Sequence, residues 1–431
     1  MNMRHLGFVL VLAAAAGVGV LGQEKNTTVV PGLKPGARVA VVGDSITEQK
    51  LYSQYIELYL TTCMPQLDAS VMQFGWGGER ANGFAGRLDN DLMPFKPTLV
   101  TTCYGMNDGG YRAYEPGIGK AYEVPLLDGV KRLKAAGVTV IVGSPGAVDT
   151  KYFRPKEPNA ATVYNENLAQ LRDIAKKIAA DEGMIFANVH DPLMAAMAKS
   201  KAAYGEDYDV CGRDGVHPGP NGHLVMAYAF LKAMGFDGDL GGITIDLNGK
   251  ASAVNGHVVV SEKDHAVEIE SSRYPFCLSG DGKNVAGTTL NILPFVPFQQ
   301  DLNRLTLVVK NAKGDQVKVV WGDASKTFAR ADLEKGINLA AEFPVNPFCG
   351  PFKKVEAAVS AKQNYETFLI KSQINPLPQI KQRMGDDPAA MEALAAYHKQ
   401  LWNKEERLQK AVRAAMAPVR HTITIVDPAG K

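Results

Sequence analysis

Four separated segments of the chain carry side chains suited to acyl transfer. The first is Gly43-Asp44-Ser45-Ile46-Thr47, directly after the apolar run Arg38-Val39-Ala40-Val41-Val42. A serine at the carboxyl end of a buried strand, entering a helix, stands at the sheet edge where ligands bind, beside unpaired backbone N–H groups. The second segment lies far downstream: Asp214-Gly215-Val216-His217-Pro218 spaces a carboxylate and an imidazole three residues apart on a Gly/Pro-rich stretch. On a tight loop that spacing lets Asp214 accept from Nδ1–H of His217, which leaves Nε2 to take a proton from a serine. Singly, each segment is also what an ordinary capped turn contains, with Asp44, Ser45 and Asp214 as turn or cap residues.

Two more segments could supply the donors that a tetrahedral oxyanion needs. Phe74-Gly75-Trp76-Gly77-Gly78-Glu79-Arg80 follows a second β-type run, with bare backbone that a substrate can approach closely. Gly105-Met106-Asn107-Asp108 follows a third, which places the Asn107 amide at the same sheet edge. A glycine loop or an Asn-Asp pair by itself is usually a turn. Signals at three successive strand ends, with a matching Asp-His pair, rarely coincide by chance.

Such residues need a scaffold that brings positions 45 and 217 together. Short apolar runs at 38–42, 71–74, 99–103, 138–142 and 184–187 read as buried parallel strands. Between them, Val124, Leu127, Val130 and Leu133 predict one amphipathic helix, and Leu168, Leu171, Ile174 and Ile178 predict another. Gly137 and Gly183 stand where helix stops are expected. The alternation implies an α/β domain with a parallel sheet covered on both faces. After Gly241, β-type runs at 243–247, 258–260, 305–309 and 317–321, with turn signals Asn248-Gly249, Asn255-Gly256 and Asp281-Gly282, predict an antiparallel β-rich module. Residues 352–419 read as helical, with their charges on a solvated face, and 421–426 alternates like a strand returning to the β module.

With 431 residues, 46% hydrophobic and 21% charged, the chain has material for more than one globular unit. A net charge of +2 and the lack of a basic run give no reason to expect nucleic acid as a partner. Arg4 and His5 precede an apolar run from Leu6 to Leu21, which reads as a secretory signal peptide over 1–22. The run falls short of the roughly 20 residues of a comfortable membrane span, so the expectation is a secreted or periplasmic protein with no stable span after cleavage, with an uncleaved anchor as the competing reading. Of the five cysteines, Cys277 and Cys349 each follow a Pro-Phe pair and are the candidate bridge. Neither Cys nor His clusters at metal-ligand spacing, so no metal and no cofactor are expected.

Together the four segments resemble the SGNH/GDSL hydrolase family, whose members place Ser, Gly, Asn and His in four blocks. Gly43-Asp44-Ser45, Gly105-x-Asn107-Asp108 and Asp214-x-x-His217 match closely. The glycine block departs, reading Gly77-Gly78-Glu79-Arg80 where the family often has a Ser-Gly-Asp-Thr-like run. The resemblance covers roughly the first half of the mature chain. It implies a flavodoxin-like three-layer hydrolase domain, placed at 34–238. A β-rich accessory module at 241–348 and a helical C-terminal segment at 349–431, with its final strand, lie beyond it. The resemblance further implies catalytic Ser45, His217 and Asp214, with an oxyanion hole from the Ser45 and Gly78 N–H groups and the Asn107 amide. Gly75 and Gly77 remain open as alternatives to Gly78. Trp76 is a candidate substrate-binding residue, weighed against plain packing. The implied reaction is hydrolysis of short-chain esters, above all acetyl, on a small ester or an acetylated polysaccharide. Polysaccharide O-acyl transfer, lipid or aryl esterase activity and non-catalytic glycan binding are the alternatives.

Overall fold

The computed structural model describes residues 29–280 and 287–430. The signal peptide expected over 1–22 and the turn signal at Asp281-Gly282 lie outside the described residues. Strands β1 (Arg38–Gly43), β2 (Ser70–Gly75), β3 (Leu99–Cys103), β4 (Thr139–Gly143) and β5 (Ile185–Ala187) form one sheet in the order β2-β1-β3-β4-β5. Every pairing in it is parallel, giving the flavodoxin-like order. Alternate residues serve opposite faces: Val39 and Val41 join one core, Ala40 and Val42 the other. That is why these strands read as continuous apolar runs.

Helices α1 (Ser45–Glu48) and α2 (Leu51–Leu58) follow β1, and α3 (Ala81–Arg87), α4 (Pro116–Ala135) and α5 (Ala160–Glu182) follow β2, β3 and β4 in turn. Helices α6 (His190–Tyr204) and α7 (Pro220–Ala233) follow β5. Gly183 caps α5 in the left-handed conformation, as its position predicts. The buried stripe of α4 differs from the expected one: Tyr122, Leu126, Val130 and Leu133 face the core while Val124 is exposed. A strict three-residue spacing drifts about 60° per step against the 3.6-residue turn, so Val124 turns to solvent, Leu127 is partly buried, and Val130 and Leu133 reach the core.

Beyond Gly238 come β6 (Asp239–Asp246), β7 (Ser252–Val254), β8 (His257–Lys263), β9 (Ala266–Ser271) and α8 (Phe298–Asp301). The chain continues through β10 (Arg304–Lys310), β11 (Gln316–Trp321), β12 (Ala324–Ala329), α9 (Arg330–Lys335), β13 (Ile337–Asn338) and α10 (Leu339–Glu342). It ends in α11 (Cys349–Phe368), α12 (Leu377–Met384), α13 (Pro388–Ala415) and β14 (Val419–Val426). The strands form two sheets, β13-β10-β6-β7 and β12-β11-β14-β9-β8, around a shared core that includes Ile243, Ile269, Trp321 and Ile423. Contrary to the antiparallel expectation, β10 pairs with β6 in parallel. Turn signals constrain only strands adjacent in sequence, and β10 joins β6 after the chain has crossed to the other sheet.

A directed hydrogen-bond chain crosses this module. Trp321 Nε1–H donates to His421 Nδ1 at 3.0 Å, so Nε2 of His421 carries the proton given to Ser271 Oγ at 2.9 Å. Ser271 then donates to His257 Nδ1 at 2.7 Å, and His257 Nε2–H donates to the Leu240 carbonyl at 2.9 Å. Burial depresses both imidazoles, His257 to about 4 and His421 to about 3.

The charges of the C-terminal helices are not all solvated. Lys362 on α11 is fully buried, 2.8 Å from Glu57 of α2 and 2.6 Å from Glu366. Its Nζ also donates to the Val71 carbonyl of β2, and Glu366 Oε2 accepts from Gln73 N at 3.0 Å. Helix α11 therefore satisfies backbone groups along β2, the edge strand of the parallel sheet. Phe352, Val355 and Val359 of α11 join the same core as Val39 and Val41. All five cysteines are free thiols; Cys277 and Cys349 sit as hydrogen-bonded neighbours, a contact that lowers the Cys349 thiol to about 6. No helix among the described residues is long and apolar enough to cross a membrane.

Candidate active site

Strand β1 ends at Gly43, where a Cβ would meet Thr47 Oγ1 at 2.1 Å and the Cys103 carbonyl at 2.8 Å. The chain then turns sharply into α1, with Asp44 Oδ1 accepting from Ile46 N at 3.0 Å. This turn lifts Ser45 to the carboxyl edge of the sheet. From there Ser45 Oγ meets His217 Nε2 at 2.8 Å, and His217 Nδ1 lies 2.6 Å from Asp214 Oδ2. An ionised carboxylate only accepts, so Nδ1 carries the imidazole proton and Nε2 can accept the serine hydroxyl. Burial works against the charge of Asp214. The Val216 and His217 N–H groups, each 2.9 Å from Oδ1, outweigh it and hold the carboxyl below its usual range.

The loop holding His217 depends on its glycines. Gly212 and Gly215 have φ of +82° and +81°, and a Cβ on Gly215 would come within 2.4 Å of the Phe153 backbone. The Gly215 carbonyl accepts from Asp149 N at 2.9 Å, and Asp149 is itself paired with the buried ammonium of Lys201 at 3.0 Å.

The glycine loop after β2 closes as a turn, with Glu79 N donating to the Trp76 carbonyl at 3.1 Å and Gly78 at φ +73°. The three candidate glycines differ in what their N–H groups do. Gly75 N donates to Gln73 Oε1 at 3.0 Å and Gly77 N to Glu48 Oε2 at 2.5 Å. Among the described residues the Gly78 N–H has no partner, so it is the donor left for an anion. Asn107 Nδ2 donates to the Glu79 carbonyl at 3.0 Å, and its Oδ1 accepts from Tyr111 OH at 2.9 Å. These two bonds fix which way the amide faces and leave a second Nδ2 hydrogen for an oxyanion.

Asp44 and Asp108 serve the loops. Asp108 accepts from Ala81 N at 2.9 Å and Gly105 N at 3.0 Å, tying the glycine loop to the Asn107 turn. Burial pushes the Asp108 carboxyl up to about 6 and that of Asp44 up to about 7. Several supporting residues escaped the sequence reading. Glu79 is buried against Arg87, 2.7 Å from Nε, and accepts from Tyr104 OH at 2.6 Å. His223 accepts from Tyr52 N at 3.3 Å and lies 3.1 Å from Gln49 Oε1, while burial lowers it to about 3. Only the acidic character of Glu48 and Glu79 near the motifs could have drawn attention to them, because their partners lie elsewhere in the chain. Trp76 is engaged by two cations: Lys371 at 4.8 Å and Arg87 at 5.4 Å from its ring centre. A pocket beside the Asn107 turn is lined by Arg80, Asp108, Arg112, Ile118 and Ala121. Among the described residues no cluster of His, Cys, Asp and Glu is arranged to hold a metal ion.

A flavodoxin-like sheet carries Ser45, Gly78 and Asn107 on three successive loops, and an Asp-x-x-His segment reaches the serine, an arrangement suited to acyl transfer. Residues 41–225 match the GDSL-like Lipase/Acylhydrolase family, so the chain carries a domain of that family and is an ester hydrolase by class. An acetylxylan esterase of Geobacillus stearothermophilus is 23% identical over 227 residues, 47% of this chain and 95% of that protein. A gut microbial diltiazem-metabolizing enzyme, BT4096, shares the fold with a TM-score of 0.70 and 22% identity, over 93% of this chain and 99% of its own. The crystal structure of Axe2, an acetylxylan esterase from Geobacillus stearothermophilus, aligns with 48% of this chain and 97% of its own at 22% identity and a TM-score of 0.38.

Proposed function

We propose that this chain is an exported esterase that removes short acyl groups, acetyl foremost, from carbohydrate through an acyl-enzyme on Ser45. The observation that carries the reading is the unbroken relay from Ser45 Oγ through His217 to Asp214, at 2.8 and 2.6 Å. His217 takes the hydroxyl proton as Ser45 attacks the ester carbonyl, with Asp214 stabilising the imidazolium. The Ser45 and Gly78 N–H groups and the Asn107 amide receive the oxyanion. His217 then protonates the departing sugar oxygen as its bond to the acyl carbon breaks, and water, activated by the same imidazole, hydrolyses the acyl-enzyme and releases the acid. The donors of Arg80 and Arg112 in the neighbouring pocket suit an oxygen-rich alcohol. Carbohydrate as that alcohol is supported by the curated relative named as an acetylxylan esterase, and export by the apolar N-terminal run.

The test is acetate release by purified protein, wild type beside Ser45→Ala, from an aryl acetate and from an acetylated xylan-type polymer. Release from both substrates that vanishes in the variant is expected. Release from the aryl ester only would remove carbohydrate from the reading. Release from neither by a folded protein would redirect it to acyl transfer or glycan binding.

A further inference from the structure

Glu48 occupies an unusual position between three parts of the molecule. It closes α1, the turn that begins with Ser45, so its backbone is fixed relative to the nucleophile. Its Oε2 accepts from Gly77 N at 2.5 Å, directly before the Gly78 donor. Its Oε1 is 2.6 Å from Nζ of Lys371, which lies 323 residues away on the π-helical extension of α11, Leu369–Ile374. The same ammonium stands over the Trp76 ring at 4.8 Å. Both groups are mostly shielded, with 29% of the Lys371 and 25% of the Glu48 side chain exposed. The strand that feeds the loop is held from the same side, since Gln73 Nε2 donates to Thr367 Oγ1 at 2.6 Å and Gln73 N to Glu366.

We propose that Lys371 and Glu48 are positioning residues for the oxyanion hole, through which the C-terminal helix holds the Gly78 donor in register with Ser45. The inference rests on the esterase reading of the site, although one of its two tests does not. Glu48 spans two loops that each present one oxyanion donor, and Lys371 fixes which way its carboxylate points. A charge-assisted bond from a carboxylate to a backbone N–H is strong and directional, so the loop needs no substrate to order it. With Lys371 neutralised, Glu48 is free to turn toward water, and the Trp76–Glu79 turn loses the ring contact and the Gly77 bond together. A displacement of about 1 Å at such a donor is enough to cost up to about a hundredfold in rate. Gly75 belongs to the same arrangement, because a Cβ there would come within 2.2 Å of Glu48 N.

The test compares Lys371→Met, Lys371→Arg and Glu48→Gln in the full chain by two readouts. On an aryl acetate, Lys371→Met is expected to lower kcat about tenfold with KM within about twofold, and Lys371→Arg to recover most of it. Independently of activity, amide hydrogen exchange over residues 75–80 should quicken in Lys371→Met while exchange over β3 stays unchanged. A wild type without esterase activity would overturn the reading of the site, and the exchange measurement would still decide the tether. Unchanged exchange at 75–80, or a kcat within twofold of wild type in a folded Lys371→Met, would overturn the proposal. Should Lys371→Met fail to fold, Glu48→Gln removes the charge while leaving an acceptor for Gly77, and the same two readouts apply.

Discussion

Asn107 is clamped at both ends of its amide, by the Glu79 carbonyl and by Tyr111 OH. The two partners have separable consequences. On the proposed reading Asn107→Ala removes one of three oxyanion donors and is expected to lower kcat by about 10²–10³-fold, leaving residual activity from the two backbone donors. Tyr111→Phe keeps the amide but frees its Oδ1, so the expected loss is milder, about tenfold in kcat with the fold intact. Steady-state kinetics on an aryl acetate checks both, and equal losses would show that Tyr111 does more than orient Asn107. Ser45, Asn107, Asp214 and His217 could be picked out as candidates from the sequence because each sits in a local motif, and the structure brings Ser45, His217 and Asp214 into one hydrogen-bonded row. Tyr111, Glu48 and Glu79 could not, since a Tyr or Glu in a loop carries no signal until its partner is known. The choice among three glycines also needed structure. It turns on which N–H is already used, and composition cannot report that.

At the scale of elements, the parallel strands were readable because both their faces are buried, and the apolar runs follow from that. The stripe of α4 and the direction of β10 were misread because spacing and turn signals are local, whereas burial and pairing are settled by distant neighbours. Helix α11 is the sharpest case. A Lys/Glu-rich helix ordinarily shows its charges to water, yet Lys362 and Glu366 are buried against α2 and β2. Removing one member of such a cluster strands the others. Lys362→Met is therefore expected to destabilise the protein by about 3–5 kcal/mol, leaving Glu57 and Glu366 buried without their cation. Urea denaturation followed by circular dichroism measures this, and a loss under about 1 kcal/mol would mean that water reaches the carboxylates after all.

Taken whole, the molecule shares its fold with a structural neighbour over 93% of its length, so the β sheets and the C-terminal helices belong to one architecture with the hydrolase domain. Tyr59 OH donating to the Leu302 carbonyl at 2.8 Å, and Tyr274 N donating to Thr62 at 2.9 Å, join the two. The β module has its own pH response. His257 and His421 stay neutral when folded, at about 4 and about 3, because burial disfavours their charge. The unfolded chain, with ordinary histidines near pH 6.5, takes up protons first as pH falls. The module is thus at full stability above about pH 6.5 and loses it progressively toward pH 4. Urea midpoints at about pH 7 and pH 5 should differ more for wild type than for the His257→Gln/His421→Gln double variant. Equal differences would mean that the histidine chain is not the source. One last consequence follows from where β14 lies. It is the middle strand of its five-stranded sheet and follows the other four in the chain. During synthesis from the N-terminus, neighbours β9 and β11 emerge without the strand that joins them, and β2 emerges with its edge bare until α11 follows. This sheet cannot close piece by piece as the chain leaves the ribosome. The centre of that sheet arrives after all its neighbours, so a chain without β14 has lost a keystone.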